Sequence, residues 1–428
     1  MPPMNQTPGS FLTNRWVQLT LGIIGMISVT NLQYGWTFFV QPMMDKHGWS
    51  KEQISVAFAI FLLTETWLVP IEAYLADLFG SRLLVFAGGV LVAAAWMINS
   101  VADTHTLHLL YLGNALGGAG AGIVYGISIG NALRWFPDRR GLAAGLTAAA
   151  FGAGSALTVI PIRATIRDFG YQAAFFWFGI GQGAIVLLVA LAMRKPRSIP
   201  APSAKVVQSI RDFTPLEMLR SPLFWLMYVM MILANVGGLT AIQDLALIAE
   251  SFGVANVTFL MVGSAINALS LAAMLDRIMG GITRPIFGWI SDHIGREITM
   301  FIAFSLEAGA ILGWITFGHV PELFVLFSAV TLFFWGEIYS LFPALCGDMF
   351  GRKFATTNYA ILYTAKGSAS LFLLLGTRLF EVTGSWTPIF ALAIAFDGLV
   401  ALAALFVLRP LRKRWTALPI KKSPGVTD

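Results

Sequence analysis

The sequence predicts an all-α integral membrane protein, with twelve transmembrane helices in two six-helix halves. Three observations lead to this fold class. Of the 428 residues, 57% are hydrophobic and only 12% are charged, and the mean hydropathy is +0.74, whereas a soluble domain carries about 25% charge. Apolar windows long enough to cross a bilayer recur along the whole chain. Two short motifs also occur twice, at almost the same offset.

Each apolar window reaches about 20 residues, the length that a helix needs to cross the hydrocarbon core. We expect each window to form one membrane-spanning helix. The windows lie at residues 15–40, 54–76, 83–102, 107–133, 141–163, 172–193, 222–249, 258–290, 298–317, 321–346, 355–380 and 386–408.

A polar, basic and proline-containing segment divides the windows six and six. It covers residues 194–221 and is expected to be a central loop on the cytoplasmic side. The expected domains are an N-terminal six-helix bundle over 1–193 and a C-terminal six-helix bundle over 222–428, which ends in a basic cytoplasmic tail.

The basic residues sort by membrane side when the loops are assigned alternately. The positive-inside rule therefore predicts a multi-pass protein of the cell inner (plasma) membrane with both termini cytoplasmic. The sorting also argues against a nucleic-acid partner, although the net charge is +6. No removable signal peptide is expected, because the first fourteen residues are polar. The basic side receives Arg15, Arg82, Arg134, Arg139, Arg140, Arg194, Lys195, Arg197, Lys205, Arg211, Arg220, Arg296, Arg352, Lys353 and the tail 409–422, against Lys46, Lys51, Arg163, Arg167 and Arg378 on the other side.

Two motifs are repeated between the halves. An Asp-x-x-Gly turn followed by arginine comes after the second window and again after the eighth, at an offset of 215, and a Phe-containing motif follows the fourth and tenth windows at an offset of 214. A shared offset indicates a parallel repeat, the arrangement in which two halves flank a site at the bilayer midplane. We expect the turns to act in gating. The predicted gating residues are Asp77, Gly80, Arg82, Gly288, Asp292, Gly295 and Arg296.

Arg284 and Lys366 are cations inside the eighth and eleventh windows. The helical rise puts them roughly 12 and 16 Å from the nearer helix end, against a half-thickness of about 15 Å for the core. A charge at this depth costs about 2.5–3.5 kcal/mol on insertion scales and usually marks a substrate pathway. Neither cation has an obvious neighbouring acid, so we expect both to face an anion, and a dicarboxylate would match both charges.

Aromatic residues lie at the same depth. Tyr339 and its repeat partner Tyr125 are about as deep as Lys366, whose own repeat partner is Phe151. An aromatic residue in a membrane helix more often packs or lies at the interface than binds a ligand. Both interpretations remain open for Tyr125, Tyr339 and Trp335.

The segment 288–296 resembles the loop motif of the major facilitator superfamily, and the resemblance covers the whole chain. Within that superfamily, the chain is similar to the bacterial oxalate:formate antiporters. The segments that carry this similarity are 31–37, 120–126, 131–143, 334–343 and 365–370.

The resemblance implies a secondary active transporter, not an enzyme. It implies exchange of small carboxylates, oxalate for formate, by alternating access in a lipid bilayer, without a cofactor or metal and as a monomer. It also implies that the two deep cations hold the two carboxylates inside a cage of aromatic rings with a glutamine. The implied substrate-binding residues are Arg284, Lys366, Gln33, Tyr34, Tyr125, Phe151, Trp335, Tyr339 and Tyr363.

The chain departs from the family pattern in two cage positions and at several acids. Phe151 stands where the family has tyrosine, and Tyr363 where it has tryptophan. Acids that the pattern lacks are Glu65, Glu72 and Glu337, with Asp276 and Arg277 adjacent on the eighth span.

These acids leave an alternative open, a proton-coupled symporter for lactate- or pyruvate-like monocarboxylates. In that case Glu337, Glu65 or Asp276 would carry the proton. Glu337 is two residues from both Trp335 and Tyr339, so its side chain should point about 200° away from either around the helix. We therefore expect Glu337 to face a neighbouring helix, and its substitution to be silent.

Overall fold

The computed structural model describes residues 11–136, 140–194, 212–261, 264–351 and 354–416. Helices cover most of these ranges, and they form twelve consecutive spans, numbered here in chain order. Two predicted features fall partly outside this description: most of the central loop (195–211) and the end of the basic tail (417–428).

The first six spans consist of ten helices and one 3₁₀ segment. Spans 1, 2 and 5 are interrupted, whereas spans 3, 4 and 6 are continuous. The helices are α1 Arg15–Val29, α2 Asn31–Tyr34 and α3 Thr37–His47 in span 1, α4 Lys51–Trp67 and α5 Val69–Phe79 in span 2, α6 Ser81–Val101 in span 3, α7 Leu107–Trp135 in span 4, α8 Arg140–Ala153, the 3₁₀ turn Gly154–Leu157 and α9 Val159–Phe169 in span 5, and α10 Tyr171–Ala192 in span 6; a 3₁₀ turn at Phe11–Thr13 precedes them.

The last six spans follow a short helix, α11, and include one hairpin of two antiparallel strands. Span 10 is interrupted at Gly336 and Glu337. The elements are α11 Pro215–Leu219, α12 Pro222–Ser251 (span 7), β1 Thr258–Met261, β2 Ser264–Asn267, α13 Ala268–Ile294 (span 8), α14 Arg296–Phe317 (span 9), α15 Pro321–Trp335 and α16 Ile338–Phe350 (span 10), α17 Ala355–Thr383 (span 11), and α18 Thr387–Ala403, the π segment Ala404–Leu408 and α19 Arg409–Thr416 (span 12).

Ten helical segments within the described residues are long and apolar enough to cross a membrane. Spans 1 and 8 complete the twelve. Span 1 is interrupted after Val29 and again after Tyr34, while α13 carries Asp276, Arg277 and Arg284 along its length. Polar or broken helices of this kind are tolerated at membrane depth where they are buried in protein or line a cavity.

The start of the eighth window was predicted wrongly. Residues 258–261 and 264–267 form the antiparallel strands β1 and β2, in which Thr258 pairs with Asn267, and not the first turns of a helix. The helix starts at Ala268 because the Asn267 side chain accepts the backbone N–H of Ser270, which is an N-cap bond. Hydropathy alone did not distinguish this apolar hairpin from the helix that follows it.

The two halves repeat one backbone conformation at the predicted turns. Gly80 has φ 91° and ψ 145°, and Gly295, at the offset of 215, has φ 93° and ψ 149°. Side-chain-bearing residues avoid this region of backbone conformation. The two turns are therefore structurally equivalent, as the repeat predicts.

The second turn lies in a charged network. Arg296 pairs with Asp292 at 2.5 Å and with Asp348 of α16 at 3.4 Å, and it also donates to the Gly288 carbonyl at 3.5 Å. In the first turn, Arg82 is exposed, and the side chain of Asp77 lies outside the described structure.

The bundle has two ends, which we name by their residues. The terminal face holds Arg15 and α19, and the opposite face holds Lys51 and Asp244. At the opposite face, Lys51 of span 2 forms a buried ion pair with Asp244 of span 7 at 3.5 Å. The Lys51 ammonium also lies 4.5 and 4.1 Å from the ring centroids of Phe380 and Trp386, so this N-terminal cation is held by side chains of the C-terminal half.

Other polar contacts join the halves at the same end. The backbone N–H of Ala246 donates to Thr37 Oγ1 at 2.9 Å, and Arg163 donates to the side chains of Asn267 and Ser270. The opposite face is therefore closed by bonds between the halves.

We expect Asp244→Asn to open the opposite face more often. The variant leaves Lys51 as an unpaired buried cation, and removing one partner of a buried pair costs about 3–5 kcal/mol. A cysteine at Ala246, in a background with Cys346 replaced by alanine, should then react several-fold faster with a membrane-impermeant maleimide added at that face. The matched control is Asp168→Asn, which breaks an exposed ion pair at the same face. Equal labelling rates in Asp244→Asn and its parent would contradict the assignment of this pair as a closure.

Candidate functional site

Lys366 lies at the middle of the bundle and bonds to the other half. Its ammonium donates to Gln33 Oε1 of span 1 at 2.8 Å and to both carboxylate oxygens of Glu65 of span 2, at 2.7 and 3.0 Å. A longer contact of 3.3 Å leads to the Tyr363 hydroxyl, one turn away on α17. All three N–H groups of the ammonium therefore have partners within the protein.

The expectation that Lys366 lacks a neighbouring acid was wrong. Glu65 is 301 residues away in sequence, and its side chain is fully buried beside the ammonium. One signal could have identified it: Glu65 lies twelve residues before Asp77, so about 18 Å from the helix end, the depth at which Lys366 was placed. The repeat gives no hint of this acid, because the position that matches Glu65 in the second half is Gly280.

Arg284 is held differently. One of its terminal N–H groups donates to the backbone carbonyl of Ala148 in span 5, and its guanidinium carbon lies 5.0 Å from the ring centroid of Tyr339. Its Nε is buried without a hydrogen-bond partner among the described atoms. Arg284 thus lies against a carbonyl dipole and an aromatic face, and the Tyr34 side chain is a further hydrogen-bonding neighbour.

The Tyr339 ring lies against both cations. Lys366 Nζ is 5.9 Å from the centroid of the ring that Arg284 also approaches. The Tyr339 hydroxyl donates to Asn235 Oδ1 of span 7 at 2.6 Å, which fixes the direction of the ring. The two deep cations, from spans 8 and 11, therefore belong to one site.

The predicted aromatic residues form one continuous wall across both halves. Tyr125 stacks on Tyr363, with centroids 5.4 Å apart and planes 5° apart, which joins span 4 to span 11. On the N-terminal side, Phe151 packs edge-on against Tyr125 at 5.2 Å and against Tyr34 at 5.7 Å. In the C-terminal half, Tyr339 contacts Tyr363 at 6.1 Å.

Trp335 closes the wall on span 10. Its ring is 5.2 Å from Tyr339, and its other side lies on Gly238 of span 7, where an added Cβ would be 2.3 Å from the indole. The structure thus brings together all nine predicted site residues, and every one of them is buried.

Two glycines allow the halves to approach closely enough to build the site. A Cβ on Gly367 would lie 2.2 Å from Thr66 Oγ1, so spans 2 and 11 touch beside Lys366. A Cβ on Gly281 would lie 3.0 Å from the Ala149 carbonyl, so spans 5 and 8 touch one turn from Arg284. Residues with side chains at these positions would move both cations away from the N-terminal half.

Arg277 is a third buried cation at the site. It was not among the predicted site residues. Its guanidinium carbon lies 4.8 Å from the Tyr34 ring centroid, and it donates to the Tyr34 carbonyl at 3.3 Å. The spacing of seven residues from Arg284 puts both on one helix face, a signal that was available in the sequence. Asp276, next to it in the chain, is its electrostatic neighbour.

The remaining buried acids lie away from the cations. Glu337 is fully buried with Glu307 of span 9 and Asp397 of span 12 as its electrostatic neighbours, so it faces those helices. Glu72, seven residues after Glu65, lies against Gly122 of span 4. Within the described residues, no group of three or more His, Cys, Asp or Glu side chains is arranged to hold a metal ion.

Comparison with known proteins identifies the fold and the family. A sequence profile of the Major Facilitator Superfamily matches residues 21–281. The chain is 33% identical to the oxalate:formate antiporter of Oxalobacter formigenes over 99% of both chains, and 23% identical to monocarboxylate transporter 12 of Xenopus laevis over 84% of this chain and 79% of that one.

Among solved structures, the peptide transporter POT in complex with sulfate superposes with a TM-score of 0.72, at 15% identity, over 93% of this chain and 95% of that one. This likeness concerns the fold, and it confirms the predicted fold class. The relatives are transporters, which confirms that the chain is not an enzyme. The chain belongs to the Major Facilitator Superfamily and, within it, to the oxalate:formate antiporter family.

Proposed function

We propose that the protein exchanges small carboxylates across the membrane, oxalate for formate, by alternating access. The observation that carries the proposal is that Arg284 and Lys366, both in the C-terminal half, bond to the N-terminal half through the Ala148 carbonyl and Gln33. The two cations therefore take part in the contact between the halves, and an anion that binds them would change that contact. The relative named oxalate:formate antiporter, which aligns over 99% of both chains, supports this choice of anions.

The side chains at the site suit a flat dicarboxylate. The planar guanidinium of Arg284 can bind one carboxylate through two parallel bonds, and Lys366 can bind the other as a compact charge. The stacked rings of Tyr125 and Tyr363 exclude water, which strengthens both ion pairs. The Tyr339 hydroxyl would donate its hydrogen bond either to Asn235 or to the bound anion.

Exchange follows from the cost of an empty site. With no anion bound, Arg284 is a buried cation whose Nε has no partner, and a buried charge without a counterion is expensive. Closing around an anion removes that cost, so movement between the two open forms should need substrate.

Alternating access needs a gate at each face of the bundle. We infer that the terminal face is cytoplasmic, in the inner membrane, and that the two Asp-x-x-Gly turns with Asp77, Arg82 and Arg296 gate that face. Lys51 and Asp244 would gate the other face. The nine predicted site residues form a complete site within one chain, which supports a functional monomer.

A proton-coupled monocarboxylate symporter is the second candidate. Glu65 beside Lys366 favours it, because that carboxylate could carry a proton, and the similarity to a monocarboxylate transporter is in line with it. The lower identity of that relative places it second.

The two candidates differ in efflux from proteoliposomes that contain the purified protein. Vesicles loaded with labelled oxalate should release it only when oxalate or formate is present outside, since the empty carrier does not return readily. Brisk efflux into anion-free buffer, accompanied by protons, would favour the symporter and overturn obligatory exchange.

Loss of either deep cation should abolish transport of oxalate. We expect Arg284→Gln and Lys366→Gln to reduce its uptake more than tenfold, and Arg284→Lys to be impaired as well, because an ammonium cannot bind a carboxylate bidentately. Arg378→Gln, which removes an exposed arginine of the same α17 helix, is the matched control. Since Lys366→Gln also leaves Glu65 unpaired, the double variant Lys366→Gln/Glu65→Gln separates loss of the site from loss of the fold. Uptake at wild-type rates in both single Gln variants would refute the site.

The hydroxyls of the cage should contribute smaller amounts. Tyr125→Phe and Tyr339→Phe should weaken oxalate binding by roughly 0.5 to 3 kcal/mol, the range for one hydrogen bond to a neutral or charged group. Tyr171→Phe, which removes a bonded hydroxyl outside the cage, should leave affinity unchanged. If Tyr125→Phe and Tyr339→Phe both bind oxalate as the wild type does, the rings serve only as packing.

A further inference from the structure

Glu65 occupies the place that a substrate carboxylate would take on Lys366. Both of its oxygens lie within 3.0 Å of the ammonium, and Gln33 accepts a third bond. Both charged side chains are almost completely buried, at 2% exposure for Lys366 and 0% for Glu65. A carboxylate from outside can therefore reach Lys366 only by replacing a bond that the protein already makes.

The charges at the site set what can bind there. Arg284 and Lys366 contribute two positive charges and Glu65 one negative charge, while the adjacent Asp276 and Arg277 cancel each other. The closed site thus has one positive charge to offer. A monoanion matches that charge, whereas a dianion leaves one negative charge in excess, inside a medium where an unmatched charge is costly.

We propose that Glu65 is the proton-accepting counterion of Lys366, and that a dicarboxylate dianion enters together with one proton, which this carboxylate takes up. The inference rests on the proposed exchange of oxalate for formate. The proton comes from the solution on the side from which the dianion enters, and it converts the Glu65 carboxylate to a neutral carboxylic acid. Lys366 is then free to bond the second carboxylate of the substrate.

The charge balance of the exchange changes as a result. Inward movement of the dianion with one proton carries a single negative charge, and outward movement of formate carries the same charge. Exchange of the two anions is then electroneutral and consumes a proton gradient. Without the proton, each cycle would move one negative charge inward.

Several ionisable groups face Glu65, and the proton must be assigned among the acids. The neighbours are Lys366 of span 11, Arg284 of span 8 and Glu72 of span 2, together with the tyrosines Tyr34, Tyr125, Tyr339 and Tyr363. Of the acids, Glu65 is the one bonded to a site cation, whereas Glu72 lies against Gly122.

The test is uptake of labelled oxalate into formate-loaded proteoliposomes, with the membrane potential set by potassium and valinomycin. Between about pH 6 and pH 8 oxalate remains a dianion, so a pH effect reports on the protein. For the wild type, we expect uptake to rise as the external pH falls and the steady-state accumulation to change less than twofold with potential. Glu65→Gln should lose the pH dependence, and an inside-positive potential of about 100 mV should raise its accumulation roughly fifty-fold, the factor for one charge.

Two further variants locate the proton. Glu337→Gln, a matched change of a fully buried acid away from both cations, should behave as the wild type does, and so should Glu72→Gln. A pH dependence that vanishes in Glu72→Gln but survives in Glu65→Gln would overturn the proposal. The wild-type response to potential is decisive even if Glu65→Gln fails to fold: potential-driven oxalate uptake without a proton overturns this inference alone. No uptake of oxalate at all would overturn the proposed function, and the inference with it.

Discussion

The ion pair between Lys366 and Glu65 is the interaction on which the centre of the molecule depends. It joins span 11 of one half to span 2 of the other at 2.7 Å, where neither side chain has access to water. Breaking a buried pair by removing one partner costs about 3–5 kcal/mol, because the remaining charge is left without compensation. The pair therefore compensates the Lys366 charge when no anion is bound, whereas Arg284 keeps a buried group without a partner. An anion that binds Lys366 must offer an equivalent bond. Stability of the closed form and recognition of substrate are in this way properties of the same two side chains.

The packing around the pair explains why it can form. Gly367 lets spans 2 and 11 touch beside Lys366, and Gly281 does the same for spans 5 and 8 beside Arg284. The aromatic rings from Tyr34 to Trp335 then cover both cations. In this low-dielectric environment the interactions between charges are stronger than in water. Further from the centre, Lys51 and Asp244 close the opposite face by a second buried pair between the halves. The ion pairs and hydrogen bonds between the halves can break and re-form, which suits a fold that must open at one face at a time.

Much of this arrangement can be predicted from the sequence. The apolar windows predict the twelve spans, because a helix in lipid must be about 20 residues long and apolar; ten of the helical segments in the described residues meet that criterion. The offset of 215 predicts that Gly80 and Gly295 are equivalent, and the two share one unusual backbone conformation. The depths of Arg284, Lys366 and Tyr339 follow from the helical rise, and the family resemblance selects the remaining cage residues.

The predictions that failed concern features that depend on contacts between distant segments or on strand pairing. The partner of Lys366 lies 301 residues away, and rotation of span 2 about its axis decides whether Glu65 faces it. The segments that form β1 and β2 are part of an apolar window, so hydropathy did not distinguish these strands from a helix.

The central claim is that the two cations and their cage bind a small carboxylate. It is tested most directly by thermal unfolding of the purified protein with and without oxalate, since a ligand that binds only the folded state raises the unfolding temperature as its concentration exceeds the dissociation constant. Oxalate should stabilise the wild type in a concentration-dependent way, whereas a neutral diamide of the same shape, oxamide, should not. Arg284→Gln should not be stabilised by oxalate. Stabilisation of Arg284→Gln equal to that of the wild type, or none in the wild type, would show that the two cations and their cage do not bind the anion.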